Sequence, residues 1–412
     1  SSGTTDLVAG GALDIGSGGV SSASSMDLEA GSGNVDVGGP VTVSGTGDIN
    51  VDADASAVFD ADATTATSGA IDVLAGDTIV LNGVNGAGYL TATDNVTLDA
   101  GGAIVDALGD GVDGSTLVTT GSRLIMTASD GIGHTNDLDT DVSELSAVNT
   151  TQNDINIDEA DVVNVYGLET TQNDGNITLV ADSTITSHDL VSASGTGDVD
   201  LTSTNGALLV NQDVNSGSGD ITMSAGTDVD IAGDVNTGGS VLASAVFHVD
   251  VDGDVTAGGN VDILGDTDTD GIGDVEIAGT SASKVMSNSG DVTVRGEDVT
   301  LGAAAKGVLR APSGSVKVTA NRATEGDADG SFTMGSTADT KISADGSVNI
   351  DDPYNVIIDG AGISAGGDVD AVALNDIIAN GPVASTGGHV DLDAGNDVDV
   401  NANLSAGTDV VV

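Results

Sequence analysis

The chain has 412 residues, with 61 Gly, three Tyr, three Phe, no Trp and no Cys. Conventional globular cores use aromatic side chains heavily because each one buries a large area, so several ordinary domains fit this composition poorly. Eight Lys and Arg against 65 Asp and Glu give a formal net charge of −57, which makes nucleic acid and anionic membrane surfaces poor partners. The lack of Cys excludes thiol catalysis, disulfide bonds and thiolate metal sites.

Short phrases with the pattern of β-strands recur from the N-terminus onward. LDI, MDL, VDV and INV start at residues 13, 26, 35 and 49, at steps of 13, 9 and 14 residues. Residues 53–67 interrupt this rhythm and are expected to form a protruding loop. The rhythm blurs again further on, where GDGVDGS (109–115) and HTNDLDTDVSEL (134–145) are interpreted as insertions at one corner of a repeat.

The repeat is clearest between residues 197 and 244. GDVDL, GALLV, GDITM, TDVDI and GSVLA start at residues 197, 206, 219, 227 and 239, so the same phrase type returns about every 20 residues. A third, shorter phrase stands between them, as QDVNSGSG at residue 212 and GDVNTGG at residue 233. Three short strands per turn of about 20–21 residues are typical of a parallel β-solenoid, also called a β-helix.

The GDVDL phrase also predicts which side chains point inward. Val199 and Leu201 fall on one face of the strand and Asp198 and Asp200 on the other, because side chains alternate along a strand. The apolar face is expected to form the core of the coil. Glycines in corner runs such as NTGG and STGG are expected to supply positive φ angles.

We therefore predict an all-β chain that forms one continuous solenoid over residues 1–412, with irregular regions near 102–170 and 266–345. No apolar stretch is long enough to span a membrane. The sequence ends on TDVVV (408–412), a strand phrase without a polar cap, and an open solenoid end exposes a sheet edge that invites pairing. Either the chain is part of a longer repetitive protein, or copies stack head to tail and build a filament.

One acidic run, DTDTDGIGDVE, has the spacing of a calcium loop. Alternate carboxylates on a tight loop converge on one point, and hard oxygen ligands favour Ca²⁺. The loop resembles those of EF-hand, dockerin and thrombospondin type 3 proteins, although Ile277 stands where an EF-hand has its bidentate Glu. The alternative is a merely acidic turn. The predicted ligands are Asp266, Asp268, Asp270, Asp274 and Glu276.

Basic residues cluster in one window of this acidic chain. The cluster is interpreted either as a contact patch for an acidic surface on another copy or as local neutralisation of nearby Asp. Its members are Lys284, Arg295, Lys306, Arg310, Lys317, Arg322 and Lys341, and the eighth basic residue is Arg123.

The sequence carries no recognisable catalytic signature. The four His residues lie far apart, and the carboxylates are too numerous to single out an acid/base pair. We therefore expect no enzymatic activity. His248 and His389 stand where other repeats have Asp, Asn or Ser, which predicts surface positions.

The phrases GDVDL, GNITL and GSVNI, with V-N-T/S-G-G between them, resemble the repeat arrays of filamentous haemagglutinin-type adhesins and related giant bacterial surface proteins. The resemblance covers most of the chain. It implies a right-handed β-helix outside the cell that acts in adhesion or as a surface fibre. The leading hypothesis is an extracellular filament or adhesin shaft that self-associates, is stabilised by Ca²⁺ or another divalent cation, and meets host or neighbouring cell-surface glycans. The alternative is an extracellular β-helix enzyme similar to polysaccharide lyases, or a sugar-binding module, for which residues 284–322 are the candidate region.

Overall fold

The computed structural model describes residues 3–65, 68–82, 89–107, 118–172, 174–320, 330–351 and 353–412. Every regular element in these residues is a β-strand, and none of them belongs to a helix that could cross a membrane. The strands are parallel and stack as a β-solenoid with roughly three strands per turn, about 17 turns in the described residues. The predicted fold class is confirmed. The chain divides into two compact units, Ser1–Leu201 and Thr202–Val412.

In the first unit, the strands of successive turns pair in register. One five-stranded sheet consists of β2, β5, β8, β11 and β14. The strands of this unit are β1 Thr5–Ala9, β2 Leu13–Ile15, β3 Val20–Ser22, β4 Met26–Ala30, β5 Val35–Val37, β6 Val41–Val43, β7 Ile49–Ala53, β8 Ala57–Phe59, β9 Ala63–Thr65, β10 Ile71–Ala75, β11 Ile79–Leu81, β12 Leu90–Ala92, β13 Val96–Ala100, β14 Ile104–Asp106, β15 Val118–Ala128, β16 Leu138–Asn149, β17 Ile155–Glu159, β18 Val163–Thr170, β19 Ile177–Ala181, β20 Ile185–Ser187, β21 Val191–Ala193 and, up to its Leu201, β22 Val199–Ser203.

In the second unit, every third strand pairs in parallel, which gives three strand stacks. The first stack runs from β25 to β49, the second from β23 to β47 and the third from β24 to β48. The strands are β23 Leu208–Val210, β24 Val214–Ser216, β25 Ile221–Ala225, β26 Val229–Ile231, β27 Val235–Thr237, β28 Val241–Ala245, β29 Val249–Val251, β30 Val255–Ala257, β31 Val261–Leu264, β32 Val275–Ile277, β33 Ser283–Ser287, β34 Val292–Arg295, β35 Val299–Leu301, β36 Gly307–Ala311, β37 Val316–Thr319, β38 Ser331–Met334, β39 Lys341–Ala344, β40 Val348–Asp351, β41 Asn355–Ile358, β42 Gly362–Ala365, β43 Val369–Ala373, β44 Asp376–Ala379, β45 Val383–Ser385, β46 Val390–Ala394, β47 Val398–Val400, β48 Leu404–Ser405 and β49 Val410–Val411.

The core consists of aliphatic side chains that stack on their equivalents in the next turn. In the first stack, Ile221 pairs with Val241, and Val241 pairs with Val261. All three are at most 1% exposed. The predicted inward residues Val199 and Leu201 are likewise buried. Each turn therefore covers the apolar face of its neighbours without a wide interior that aromatic rings would have to fill.

Two segments that sequence reasoning placed outside the repeat belong to it. Residues 57–59 and 63–65 form β8 and β9, and the inward side chains of Ala57, Phe59 and Ala63 are buried. Here Ala takes inward positions that Val or Ile fill elsewhere, which weakens the sequence pattern but not the strand.

Much of the 134–145 run is also strand rather than insertion. Residues from Leu138 onward lie in β16, a strand of 12 residues in which Leu138, Thr140 and Val142 are buried in alternation. The preceding strand β15 pairs with both β12 and β13, so two strands of an ordinary turn are merged here into one. The 109–115 run lies outside the described residues.

Glycines in the NTGG and STGG corners are needed for space rather than for positive φ. Gly238, Gly239, Gly387 and Gly388 are not among the residues with positive φ. Equivalent corners stack so closely that a Cβ on Gly258 would lie 2.0 Å from the Gly238 carbonyl oxygen. The positive-φ prediction is wrong for these corners, because the constraint comes from the neighbouring turn.

In several turns a Ser or Thr hydroxyl at the end of the third strand ties that strand to the corners beside it. Ser385 donates from Oγ to the Gly367 carbonyl oxygen (2.6 Å) and accepts the Gly388 N–H (2.9 Å). Thr237 and Ser287 make the same pair of contacts in other turns. These buried hydroxyls satisfy corner groups that no strand reaches.

The side chain of the residue before a strand accepts a hydrogen bond from the next turn. This contact explains the first Asp of the GDVDL phrase. Its side chain accepts the backbone N–H of the equivalent residue one turn later, as where Asp213 Oδ1 accepts from Asp234 N (3.1 Å) and Asp234 Oδ1 accepts from Asp254 N (3.0 Å). We call such a row a corner ladder. A long one among the described residues of the second unit includes Asp220, Ser240, Asn260, Asp291, Ser315, Ser347, Asp368 and His389. Another comprises Asp228, His248, Asp274, Asp298 and Ser331.

The corner ladder predicts an asymmetry between two substitutions of Asp234. Asp234→Ala leaves the Asp254 N–H without its acceptor and should cost about 1 kcal/mol in the free energy of unfolding. Asp234→Asn keeps a carbonyl acceptor and should cost nothing. The measurement is urea unfolding followed by circular dichroism. The control is Asp262→Ala, an outward residue of β31; equal losses for Asp234→Ala and Asp262→Ala would contradict the ladder.

Candidate metal centre

The predicted calcium loop joins β31 to β32 and is a tight turn. Asp266, Thr269 and Gly271 all have positive φ, of 51°, 60° and 84°. Asp266 Oδ1 accepts the N–H of Asp270 at 3.0 Å, which closes the turn on itself. The loop therefore bends around the first Asp, a residue type that tolerates this conformation.

Three of the five predicted ligands come together in this loop. One carboxylate oxygen from each of Asp266, Asp268 and Asp270 lies within 4.8 Å of the others. Oxygens bound to one Ca²⁺ at 2.3–2.6 Å can be at most about 5.2 Å apart, so these three carboxylates are close enough to share one ion. They would supply three of the six to eight oxygens that Ca²⁺ takes.

Asp266 carries the strongest indication that a cation belongs here. The residue is fully buried, and its Oδ2 has no hydrogen-bond partner among the described residues. Burial raises the pKa of Asp266, the N–H groups of Gly271 and Asp270 oppose this, and repulsion from Asp268 adds to the rise. A buried carboxylate oxygen without a donor is unfavourable, and a bound cation would compensate for it.

Asp274 and Glu276 do not join this cluster, because both belong to the regular repeat: Asp274 lies at a corner and Glu276 on a strand. Asp274 belongs to a corner ladder, in which its N–H donates to His248 Nδ1 (3.0 Å) and its Oδ1 accepts the Asp298 N–H (3.1 Å). Glu276 lies in β32 with its side chain on the outward face, in register with Asp250. The linear D-x-D-x-D-G-x-x-D spacing gave no sign that the strand resumes at Val275.

A second acidic cluster contains a histidine that sequence reasoning placed only at the surface. His389 lies 2.9 Å from Asp368 Oδ1 through Nδ1 and 2.8 Å from Asp370 Oδ1 through Nε2. Desolvation opposes protonation, but the two carboxylates together raise the pKa of His389. When it is protonated, the imidazolium can donate from both nitrogens, one to each carboxylate, and offsets part of their negative charge. The signal was the 21-residue spacing between positions 368 and 389.

Outward carboxylates also stack along the second strand stack. Asp230 pairs with Asp250, and Asp250 pairs with Glu276. Burial, followed by repulsion from Asp252, Asp230 and Glu276, raises the pKa of Asp250 to about 6. This row therefore favours protonation or a nearby cation.

Comparisons with known proteins give no family for this chain. No protein-family model matches it, and neither a curated protein nor a solved structure matches it. The resemblance to adhesin repeats consequently rests on the sequence phrases, while the solenoid fold rests on the structure.

The stacked carboxylates predict that Asp250→Asn stabilises the protein above pH 6. Because the pKa of Asp250 is raised from 3.8 to about 6, the folded state binds this proton more tightly than the unfolded state does. Wild-type stability is therefore lost as the pH rises from about 4 to about 6, and the amide variant escapes that loss. With solvent screening, the gain should be about 1 kcal/mol.

Thermal unfolding at a series of pH values checks this prediction. Asp262→Asn is the matched control, because its neighbours in register are Leu242 and Thr293 rather than carboxylates. A gain that is the same at pH 4 and pH 7, or one that the control shares, would contradict the stacking explanation.

Ca²⁺ should raise the melting temperature of the wild type at fixed ionic strength. At a concentration one hundred times the dissociation constant, one site stabilises the folded state by about 2.7 kcal/mol. Asp268→Asn removes one exposed ligand and should abolish most of this increment, whereas Asp262→Asn should retain it. Calorimetry with and without a chelator is the measurement. An unchanged wild-type transition, or equal responses of both variants, would rule out the site.

Proposed function

We propose that this chain is a structural extracellular protein that forms the shaft of a surface filament or adhesin. Its parallel strand stacks repeat the same register turn after turn, and such a stack accepts a further turn of the same kind at its edge. The proposed role is mechanical, so it requires no catalytic group. The expectation that the chain is not an enzyme stays a prediction.

The repeated register supports the proposal of self-association. In the first stack of the second unit Val369 pairs with Val390, and Val390 pairs with Val410 one turn later. A strand edge of this kind pairs readily with another strand. The proposed partner for such an edge is a second copy of the chain, stacked head to tail. Val410, which is 46% exposed, is the position chosen to test this.

Divalent cations are the second part of the proposal. The buried Asp266 beside Asp268 and Asp270, and the stacked Asp230 and Asp250, both gain from positive charge nearby. Ca²⁺ suits the first site by its preference for several carboxylate oxygens. Ca²⁺ in the proposed filament therefore stabilises the turns and reduces repulsion between highly acidic copies.

Electron micrographs of the purified chain in Ca²⁺ test the filament directly, together with sedimentation velocity. We expect end-to-end stacks whose length increases with protein concentration. Val410→Asp places a charge on the exposed last turn and should shorten the stacks, because pairing would bury an unpaired carboxylate.

Val372→Asp is the matched control, since Val372 is 42% exposed on the outward face of β43, away from the last turn. This variant should stack like the wild type. Particles that stay monomeric at every concentration, or equal effects of the two substitutions, would refute stacking through the last turn.

A further inference from the structure

Part of the basic window forms a groove on the third strand stack. The groove has a volume of about 330 Å³. A smaller pocket of about 190 Å³ shares Arg310 with the groove and is also lined by Asp345. Four basic side chains line the groove: Lys284, Lys306, Arg310 and Lys341.

Most of this positive charge is not neutralised by the described residues. Lys284 lies 3.5 Å from Asp254 through Nζ. No carboxylate in the described part of the chain forms an ion pair with Lys306, Arg310 or Lys341, and all three side chains are exposed. Lys317, outside the groove, pairs with Asp351 at 3.0 Å. Neutralisation of a nearby Asp therefore accounts for Lys284 and Lys317. It does not account for the remaining three basic residues of the groove.

The strand register places these cations around Val308. Lys284 is in register with Val308, and Val308 with Lys341, so the two lysines stand two steps of about 4.8 Å apart on either side of it. Along the chain, Lys306 lies two residues before Val308, directly ahead of its strand, and Arg310 lies two residues after it on that strand. Cations distributed over three successive turns can meet several anionic groups of one extended ligand.

The chemistry of the groove favours a carboxylated sugar chain over a neutral sugar or a nucleobase. Its lining contains no aromatic ring, so stacking on a neutral sugar or a nucleobase has no platform. The Arg310 guanidinium fork matches a planar carboxylate, and the lysines act as point charges around it.

A second copy of the chain is a poorer occupant of the groove. A second copy carries a formal net charge of −57 of its own, so repulsion between the two whole molecules opposes its approach. A short acidic sugar chain brings only a few charges, and the exposed cations of the groove can meet these directly.

We propose that the groove of Lys284, Lys306, Arg310 and Lys341 binds an acidic polysaccharide through its uronate carboxylates. This inference goes beyond the filament role and does not depend on it, because the groove lies along the third strand stack and is complete within one copy. It assigns glycan contact to a specific face of the second unit.

Isothermal titration calorimetry with short oligogalacturonate tests the proposal. The buffer is first freed of divalent cations over a chelating resin, so that Ca²⁺ cannot bridge protein and sugar. The protein is kept dilute, so that stacking does not contribute. The groove variant is Lys306→Gln with Lys341→Gln, and the matched control is Arg295→Gln with Lys317→Gln, which removes the same charge outside the groove.

Binding by the wild type, a loss of about tenfold in affinity for each groove cation removed, and little change in the control would support the proposal. Uncharged oligogalactose should not bind. Equal affinities of the two variants, equal binding of the neutral sugar, or no binding by the wild type would overturn it. If the wild type does not bind the sugar and the groove variant sediments differently from the wild type, the occupant of the groove is a second copy.

Discussion

Pairing of the backbone N–H groups at the corners is the constraint on which the rest of this fold depends. Strands satisfy their own N–H groups by pairing with adjacent turns, but the residue before each strand needs another acceptor. Asp, Asn and Ser side chains provide it, as where Ser240 N donates to Asp220 Oδ1 at 2.6 Å. A short side chain with an acceptor atom suits the distance of one turn, which favours Asp over Glu at these corners.

This explanation changes the meaning of the acidic composition. Many carboxylates of the second unit accept a backbone N–H, so their charge is partly compensated by hydrogen bonding. Two buried carboxylate oxygens that have no hydrogen-bond partner among the described residues are the informative ones: Asp266 Oδ2 in the loop after β31 and Asp250 Oδ1 in the stacked row. A cation would therefore stabilise these two places in particular, and the net charge alone does not imply cation binding along the whole chain.

Sequence reasoning found the architecture because the strand period and the inward Val, Ile and Leu positions are written directly in the phrases. It failed where Ala replaces larger side chains, as at Ala57 and Ala63, and where two strands merge, as in β16. In the candidate site it found the loop that joins Asp266, Asp268 and Asp270. It missed Asp368 beside His389, although their spacing of one turn was a signal, and it found the basic cluster without its arrangement. Which of those basic residues line one groove depends on strand register, which only the stacking of turns defines.

Hydrogen exchange resolved to single amides tests the corner ladders most directly. If side chains of the preceding turn hold the corner N–H groups, the amides of Ser240, Asn260 and Asp291 should exchange nearly as slowly as those of their strand neighbours Val241 and Val261. Corner amides that exchange at the rate of an unstructured peptide, while the strand amides stay protected, would contradict the account.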